Sequence, residues 1–445
     1  MPRPPLRLQR VAAQGYRSRL GRFTARSRTP YPPGMRWKHT AALLILGAMI
    51  PVLLMAAGLA AIYLAGSRRP TPPPDAADYG TPWGAVDLET VDTLTPSGVQ
   101  TTITEALRSQ DSADRGSDGQ LHYDFLALSG GGSYGAFGAG VLCGWSEHGT
   151  RPTFDLVTGV STGALTAPFA FLGSSADAGL RQVYTGITIA DVLRQRSLIA
   201  AVFDDALADT APLFGTISRH VDEAMLAGIA AGYREGRLLL VGTANLDAQT
   251  PVIWNIGAIA ASGDPRALDL IRKLLLASAS IPGAFPPVMI DVTVGGQPHQ
   301  EMRVDGGAFV QLFLYPSTVT QARRERLRRR LPVQPAEAYI IRNARLDSEW
   351  AAVDRRAMTI AGRAISSMIA SAGYNDILRS FNTTQADQVG FNLAYIGSDF
   401  TGTFTSPFDQ AYMRQLFDYG FARARRGMNW AKQPPALGTT PITQG

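Results

Sequence analysis

The sequence predicts an α/β fold in which helices cover a mostly parallel sheet. Two stretches carry that expectation. Residues 123–129 (YDFLALS) are a short apolar run closed by Gly130-Gly131-Gly132, after which small and apolar residues continue as GAFGAGVLCGW. A second apolar run, FDLVTGV at 154–160, is followed from Thr162 by another helix-forming stretch. Apolar runs of about 4–8 residues bounded by turn signals read as buried strands, and strand–turn–helix units in tandem call for a parallel sheet. Composition agrees, since a chain of 445 residues, 45% hydrophobic and 18% charged, buries a substantial core.

Residues 1–38 form a basic, Pro/Arg-rich arm with ten Lys and Arg and no acid. Taking those ten from the chain's 42 leaves 32 basic residues against 36 acidic ones, so the body is slightly acidic despite a net charge of +6. That distribution removes the usual case for a nucleic-acid-binding domain. Residues 40–66 follow without one charged side chain (TAALLILGAMIPVLLMAAGLAAIYLAG). A spanning helix needs about 20 apolar residues and a signal peptide only about 7–15, so the length favours an uncleaved transmembrane anchor over a cleaved signal. Ser67 stands where a lipoprotein would need cysteine. Ten basic residues before the stretch against Arg68 and Arg69 after it put the N-terminus in the cytoplasm and the body on the non-cytoplasmic, periplasmic side. If Met35 is the start, the count evens out and orientation is open.

Residues 67–120, beginning RRPTPPPDAADYG after the apolar stretch, read as a Pro-rich linker. A domain is expected over 121–345, with further strands at 237–244, 251–256, 302–304 and 338–342, and one more at 392–396. An amphipathic helix is expected over 265–280, with Asp264 as N-cap and Pro265 at its first position. The run RRERLRRR at 323–330 reads as a solvated helix face or loop. Residues 346–445 are assigned to a C-terminal extension packed on the domain. The single cysteine, Cys143, excludes an internal disulfide and a cysteine-based zinc site.

Three motifs carry chemistry. Gly159-Val160-Ser161-Thr162-Gly163 lies between a predicted strand and a predicted helix. A serine nucleophile on such a sharp turn needs small residues two positions away on each side, and the following helix aims its N-terminal amides at developing negative charge. Gly130 to Gly132, continuing through Ser133 and Tyr134 to Gly135, stands in the same strand-to-helix context. It reads either as a dinucleotide-binding turn, with Asp155 as the ribose acid, or as an oxyanion loop, or as a plain structural turn. Asp155 opens the strand that ends at the serine, at the wrong end for a ribose. The third motif is Asp305-Gly306-Gly307, an acid at the end of a short strand. A serine needs a base. Of the five histidines, 39, 122, 148, 220 and 299, none follows Asp305, and only His299 is a serious triad candidate; otherwise Asp305 acts on Ser161 directly.

A glycine loop, a G-x-S-x-G about 30 residues on and a D-G-G about 140 residues after the serine together resemble the patatin-like phospholipase family. The segment LASASIPGAFPPV at 276–288 also looks like that family's helix end and proline-rich exit. The resemblance covers about Tyr123 to Arg345. It implies a three-layer α/β/α fold, lipid acyl hydrolysis of the phospholipase A type, Ser161 as nucleophile, Asp305 as base and Gly130, Gly131 and Gly132 as oxyanion donors, with no metal or cofactor. Tyr134 departs from the Arg or Lys that the family commonly carries there. A membrane lipid substrate is expected. The rival readings are a neutral-lipid or short-chain esterase, a silent lipid-binding protein on the same scaffold, and a nucleotide-binding oxidoreductase read from the glycine loop.

Overall fold

The computed structural model describes residues 47, 49–61, 72, 90–91, 122–196, 206–294, 297–347 and 352–435. The chain divides into two compact units, 1–65 and 66–445. In the first, residues 49–61 are helical and their apolar side chains are exposed. Among the described residues no helix is long and apolar enough to cross a membrane, so the expected transmembrane helix over 40–66 is without structural support. The ends of that stretch, the basic arm and most of the expected linker lie outside the described residues.

The second unit opens with the edge strand β1 (Thr90–Val91), then β2 (Tyr123–Leu128) and α1 (Gly135–His148). The serine motif joins β3 (Leu156–Val160) to α2 (Thr162–Leu172). Next come α3 (Asp177–Gly186), the one-turn α4 (Ile189–Val192), a ribbon of β4 (Arg194–Gln195) and β5 (Ala208–Asp209), α5 (Ala211–His220) and α6 (Glu223–Arg234). Strands β6 (Leu238–Asn245) and β7 (Thr250–Asn255) lead to α7 (Ile256–Ala261) and α8 (Ala267–Ser278). The hairpin of β8 (Val288–Val294) and β9 (Gln297–Asp305) ends at the D-G-G turn. After it come α9 (Ser317–Arg328), β10 (Ala336–Arg345), α10 (Ala357–Asp387), β11 (Gly390–Ile396) and α11 (Gln410–Arg425).

The described strands of the main sheet run in the order β1-β7-β6-β3-β2-β10-β11, with β9 also on β6 and β8 on β9. The five from β6 to β11 are parallel, as the tandem units require. Successive side chains of a strand point to opposite faces, and both faces are apolar here. Leu126, Leu128, Val157, Leu239 and Val241 join one core with α1, α2, α8 and α11. Phe125, Ala127, Leu156, Leu238 and Leu240 join the other, where Val319 of α9 and Ile377 of α10 cover them. The result is the expected α/β arrangement with helices on both sides of a mostly parallel sheet.

Some local expectations need correction. Helix α8 begins at Ala267, because Asp264 is spent on a turn in which its carboxylate accepts from Arg266 N at 2.7 Å, so neither Asp264 nor Pro265 holds the expected capping place. The basic run is not wholly solvated. Arg323 is buried and donates to the carbonyls of Asp387, Gln388 and Gln334, tying α9 to the end of α10. Residues beyond 345 supply β11, which pairs along β10, and α11, which packs on α1.

Phe417 of α11 is fully buried in the first core. Its truncation to Ala should cost about 3–5 kcal/mol in denaturant unfolding, and a loss under about 1 kcal/mol would show that α11 contributes little to the domain.

Candidate active site

Strand β6 acts as the ruler of the site. Along one edge it carries β3, with Val160 opposite Gly242, and one residue further on it carries β9, with Asp305 opposite Thr243. The other edge of Thr243 is taken by Val252 of β7. Thus β3 vacates the edge by turning sharply at Ser161, and β9 enters the space left. Two residues 144 positions apart in sequence become neighbours, and Ser161 Oγ donates to Asp305 Oδ2 at 2.6 Å.

The turn at Ser161 has φ 57° and ψ −126°, a strained combination for a residue with a side chain. Its carbonyl accepts from the amides of Ala164 and Leu165 in the first turn of α2, and its own amide donates to Ser278 Oγ at 3.0 Å. Close approach explains the motif's glycines. A Cβ on Gly159 would stand 2.5 Å from the Gly163 carbonyl oxygen, and one on Gly163 would collide with the Leu128 carbonyl. Positive charge from the α2 helix dipole falls at the serine.

Asp305 is buried, at 4% exposure. Its second oxygen accepts from Gly307 N at 2.7 Å, and its amide donates to the Ser280 carbonyl. Burial raises its pKa to about 6, against the smaller lowering effect of the bonds from Ser161 and Gly307. A carboxyl with that pKa is an ionised base at neutral pH and is far more basic than an exposed one.

The glycine loop lies against this pair. Gly130 N donates to the Gln311 carbonyl at 3.1 Å and is therefore not available as an oxyanion donor. The amides of Gly131 and Gly132 have no acceptor among the described residues. Gly131 packs so closely on the backbone of Asn343 that a side chain would collide there. Tyr134 points away into an aromatic cluster with Phe404 and Tyr412, ring centroids 5.9 and 6.0 Å off. Gly135 begins α1, and Gly306 opens the turn after Asp305.

A cavity of about 780 Å³, counting its open mouth, begins at Ser161 and Gly132 and is walled by Leu165, Phe169, Val192, Leu213, Ile217 and Phe285. His220 also reaches its wall, with its ring 6.3 Å from that of Phe169. His299 lies six residues back along β9, roughly 20 Å from Asp305 at strand spacing, where it pairs across to Val292. Asp155 accepts from Asp124 N at the start of β2, remote from the glycine loop. Among the described residues no cluster of three or more His, Cys, Asp or Glu could hold a metal ion.

The fold and this geometry define the class: an α/β protein with a serine on a strand-to-helix elbow, a buried aspartate on its hydroxyl and a glycine loop beside both. Residues 126–314 match the family model described as patatin-like phospholipase. Among solved structures, VipD from Legionella pneumophila aligns at 12% identity and a TM-score of 0.33, covering 70% of this chain and 69% of that one. No curated protein matches the chain.

Three positioning residues were not singled out in the sequence. Ser278 holds the Ser161 amide and donates to the Gly242 carbonyl at 2.6 Å. Gln311 fixes the glycine loop through its carbonyl and the D-G-G turn through Nε2, which donates to Gly307 O at 2.7 Å. Asn343 donates from Nδ2 to Ser129 O and accepts from Gly138 N, bracketing the loop from both ends. Ser278 lies in the Ala/Ser-rich helix end quoted above. Nothing local marks Gln311 or Asn343, which act through partners up to 214 residues away.

Ionised Asp305 is the form that accepts from Ser161, so ester hydrolysis should gain about tenfold per pH unit below about 6 and level off above it. Folding should show the opposite slope. The unfolded carboxyl loses its proton near pH 4 and the buried one near 6, so stability falls between these values by roughly 3 kcal/mol, and Asp305→Asn should abolish that fall. A pH-independent rate between 5 and 8 would overturn this assignment.

Proposed function

We propose that the protein is a lipid acyl hydrolase acting on phospholipid esters, with Ser161 as nucleophile and Asp305 as its base. The observation that carries this reading is the 2.6 Å bond between Ser161 Oγ and a desolvated carboxylate at the mouth of an apolar cavity. Asp305 Oδ2 takes the hydroxyl proton while Oγ attacks the ester carbonyl. The carbonyl oxygen becomes negative, with the amides of Gly131 and Gly132 as donors in reach of the same mouth. Collapse expels the alcohol, which leaves with the proton, and an acyl-serine remains. Water, deprotonated by Asp305, attacks the acyl carbonyl; Ser161 recovers its proton and the fatty acid departs.

The cavity supports an acyl chain as the bound group, since its named walls are apolar and burial of each methylene contributes about 0.8 kcal/mol. The apolar stretch 40–66, flanked by the basic arm, supports a tether that keeps the domain at a bilayer on the non-cytoplasmic side.

Full-length protein should cleave phosphatidylcholine or phosphatidylglycerol in mixed micelles. Ser161→Ala and Asp305→Asn should each lower kcat by at least about 10³-fold, while His299→Ala retains activity. Cleavage of short acyl esters alone would leave the dyad and remove the phospholipase label; failure of the folded wild type to react with a fluorophosphonate would favour a silent lipid-binding scaffold. Ile217→Trp, which fills the cavity, should reduce cleavage of long-chain esters about tenfold or more and leave butyryl esters nearly unchanged; equal losses on both would mean that the acyl chain binds elsewhere.

A further inference from the structure

Helix α10 has two halves with opposite character. From Tyr374 onward it lies on the sheet: Tyr374, Asp376, Ile377, Ser380 and Thr384 are all buried. Before that point it is exposed, and so are its large apolar side chains, Ile360 at 52%, Ile365 at 56%, Met368 at 70% and Ile369 at 38%. Helical geometry sets the direction of this apolar stripe. Met368 and Ile377 are nine residues apart, two and a half turns at 3.6 residues per turn, so they point to opposite sides of the helix. Ala361 and Ala364 share the side of Met368, with Ile365 beside them, whereas Ser366 shares the side of Ile377. The Met368 face of the first half therefore lies opposite the side by which the second half packs on the sheet, and among the described residues no element covers either side of the first half, Ser366 being exposed as well.

Its charge narrows what fits. Residues 355–375 contain Arg355, Arg356 and Arg363 and no Asp or Glu. An apolar face on a segment of net positive charge, with Arg355, Arg356 and Arg363 against Asp354, suits the boundary between anionic headgroups and acyl chains. The same helix reaches the catalytic turn. Asp376 Oδ2 accepts from Gln311 N at 2.7 Å and Leu312 N at 3.3 Å, and Gln311 holds both Gly307 and the glycine loop. Phe309, two residues earlier, is 39% exposed, and Ile281, on the cavity wall, is 38% exposed.

We propose that residues 357–371 of α10 are an interfacial docking helix that lays its Met368 face into an anionic phospholipid bilayer and so holds the catalytic unit at the surface that carries its substrate. This rests on the reading of the protein as a lipid hydrolase and adds to it a second membrane contact, distinct from residues 40–66, that belongs to the catalytic unit. It also assigns the arginines a headgroup preference. Cleavage of lipid in anionic vesicles depends on this face, whereas cleavage of a soluble ester does not.

The test uses the full chain, whose only native cysteine, Cys143, is buried. Met368→Cys and Ser366→Cys are each labelled with the fluorophore NBD and mixed with vesicles of phosphatidylcholine containing phosphatidylglycerol. A blue shift at 368, quenching there by brominated acyl chains and little of either at 366 are expected, with a weaker response on phosphatidylcholine alone. Ile365→Ser combined with Met368→Ser should lower vesicle phospholipid hydrolysis roughly tenfold or more and leave short-ester hydrolysis unchanged. The proposal is overturned if position 368 stays in water on anionic vesicles, if 366 and 368 respond alike, or if 368 is already shielded without lipid in a concentration-dependent way, which would make the face a contact between copies. A label that enters the bilayer in a protein without hydrolase activity would sink the enzymatic reading and leave docking intact. A label that stays in water on an active enzyme would do the reverse.

Discussion

Everything near the candidate site is arranged around a carboxylate removed from water. An isolated buried carboxylate is expensive, and among the described residues Asp305 has two direct donors, the Ser161 hydroxyl and the Gly307 amide. That meagre solvation is what raises its pKa and makes it basic. Fuller solvation would lower that basicity, so the design depends on restricting donors as much as on supplying them. The slot on β6 does the restricting, because Asp305 enters a sheet edge already flanked by β3 and β7.

Around that pair, buried polar side chains fasten segments that are distant in sequence. Ser278 links the serine elbow to β6, Gln311 links the D-G-G turn to the glycine loop, and Asn343 links that loop to β10 and α1. The Ser278 and Asn343 side chains make two hydrogen bonds each, and Gln311 makes one through its side chain and others through its backbone, a good device for fixing geometry to fractions of an ångström. Asp376 extends the same network outward, so a helix on the far face of the sheet meets the catalytic turn through two backbone amides.

Much of this could be read in advance where the signal is local. The parallel sheet followed from apolar runs at β2 and β3, and the elbow from glycines spaced about one serine, because sterics within five residues dictate both. The patatin-like family was legible from the order of three motifs. Other features depend on contacts that no short window contains. Gly130 looks like its two neighbours in sequence, yet its amide is taken by Gln311, 181 residues away. Arg323 belongs to a run of basic residues that reads as solvated, and its burial depends on three carbonyls clustered by the fold. The two faces of α10 cancel in any average over the helix, since its apolar side reverses halfway along.

The long separation of the pair on β6 has a consequence for the life of the polypeptide before it is complete. Ser161 is made 144 residues before Asp305, roughly ten seconds earlier at ribosomal speeds of about 5–20 residues per second. Until β9 has been synthesised, the elbow serine has no carboxylate partner, and until Asn343 and α11 arrive the glycine loop and α1 lack their packing partners. A nascent chain thus carries the elbow serine without the carboxylate that would activate it. On the proposed reading, reactivity would be deferred to the last stages of folding by the topology of the sheet.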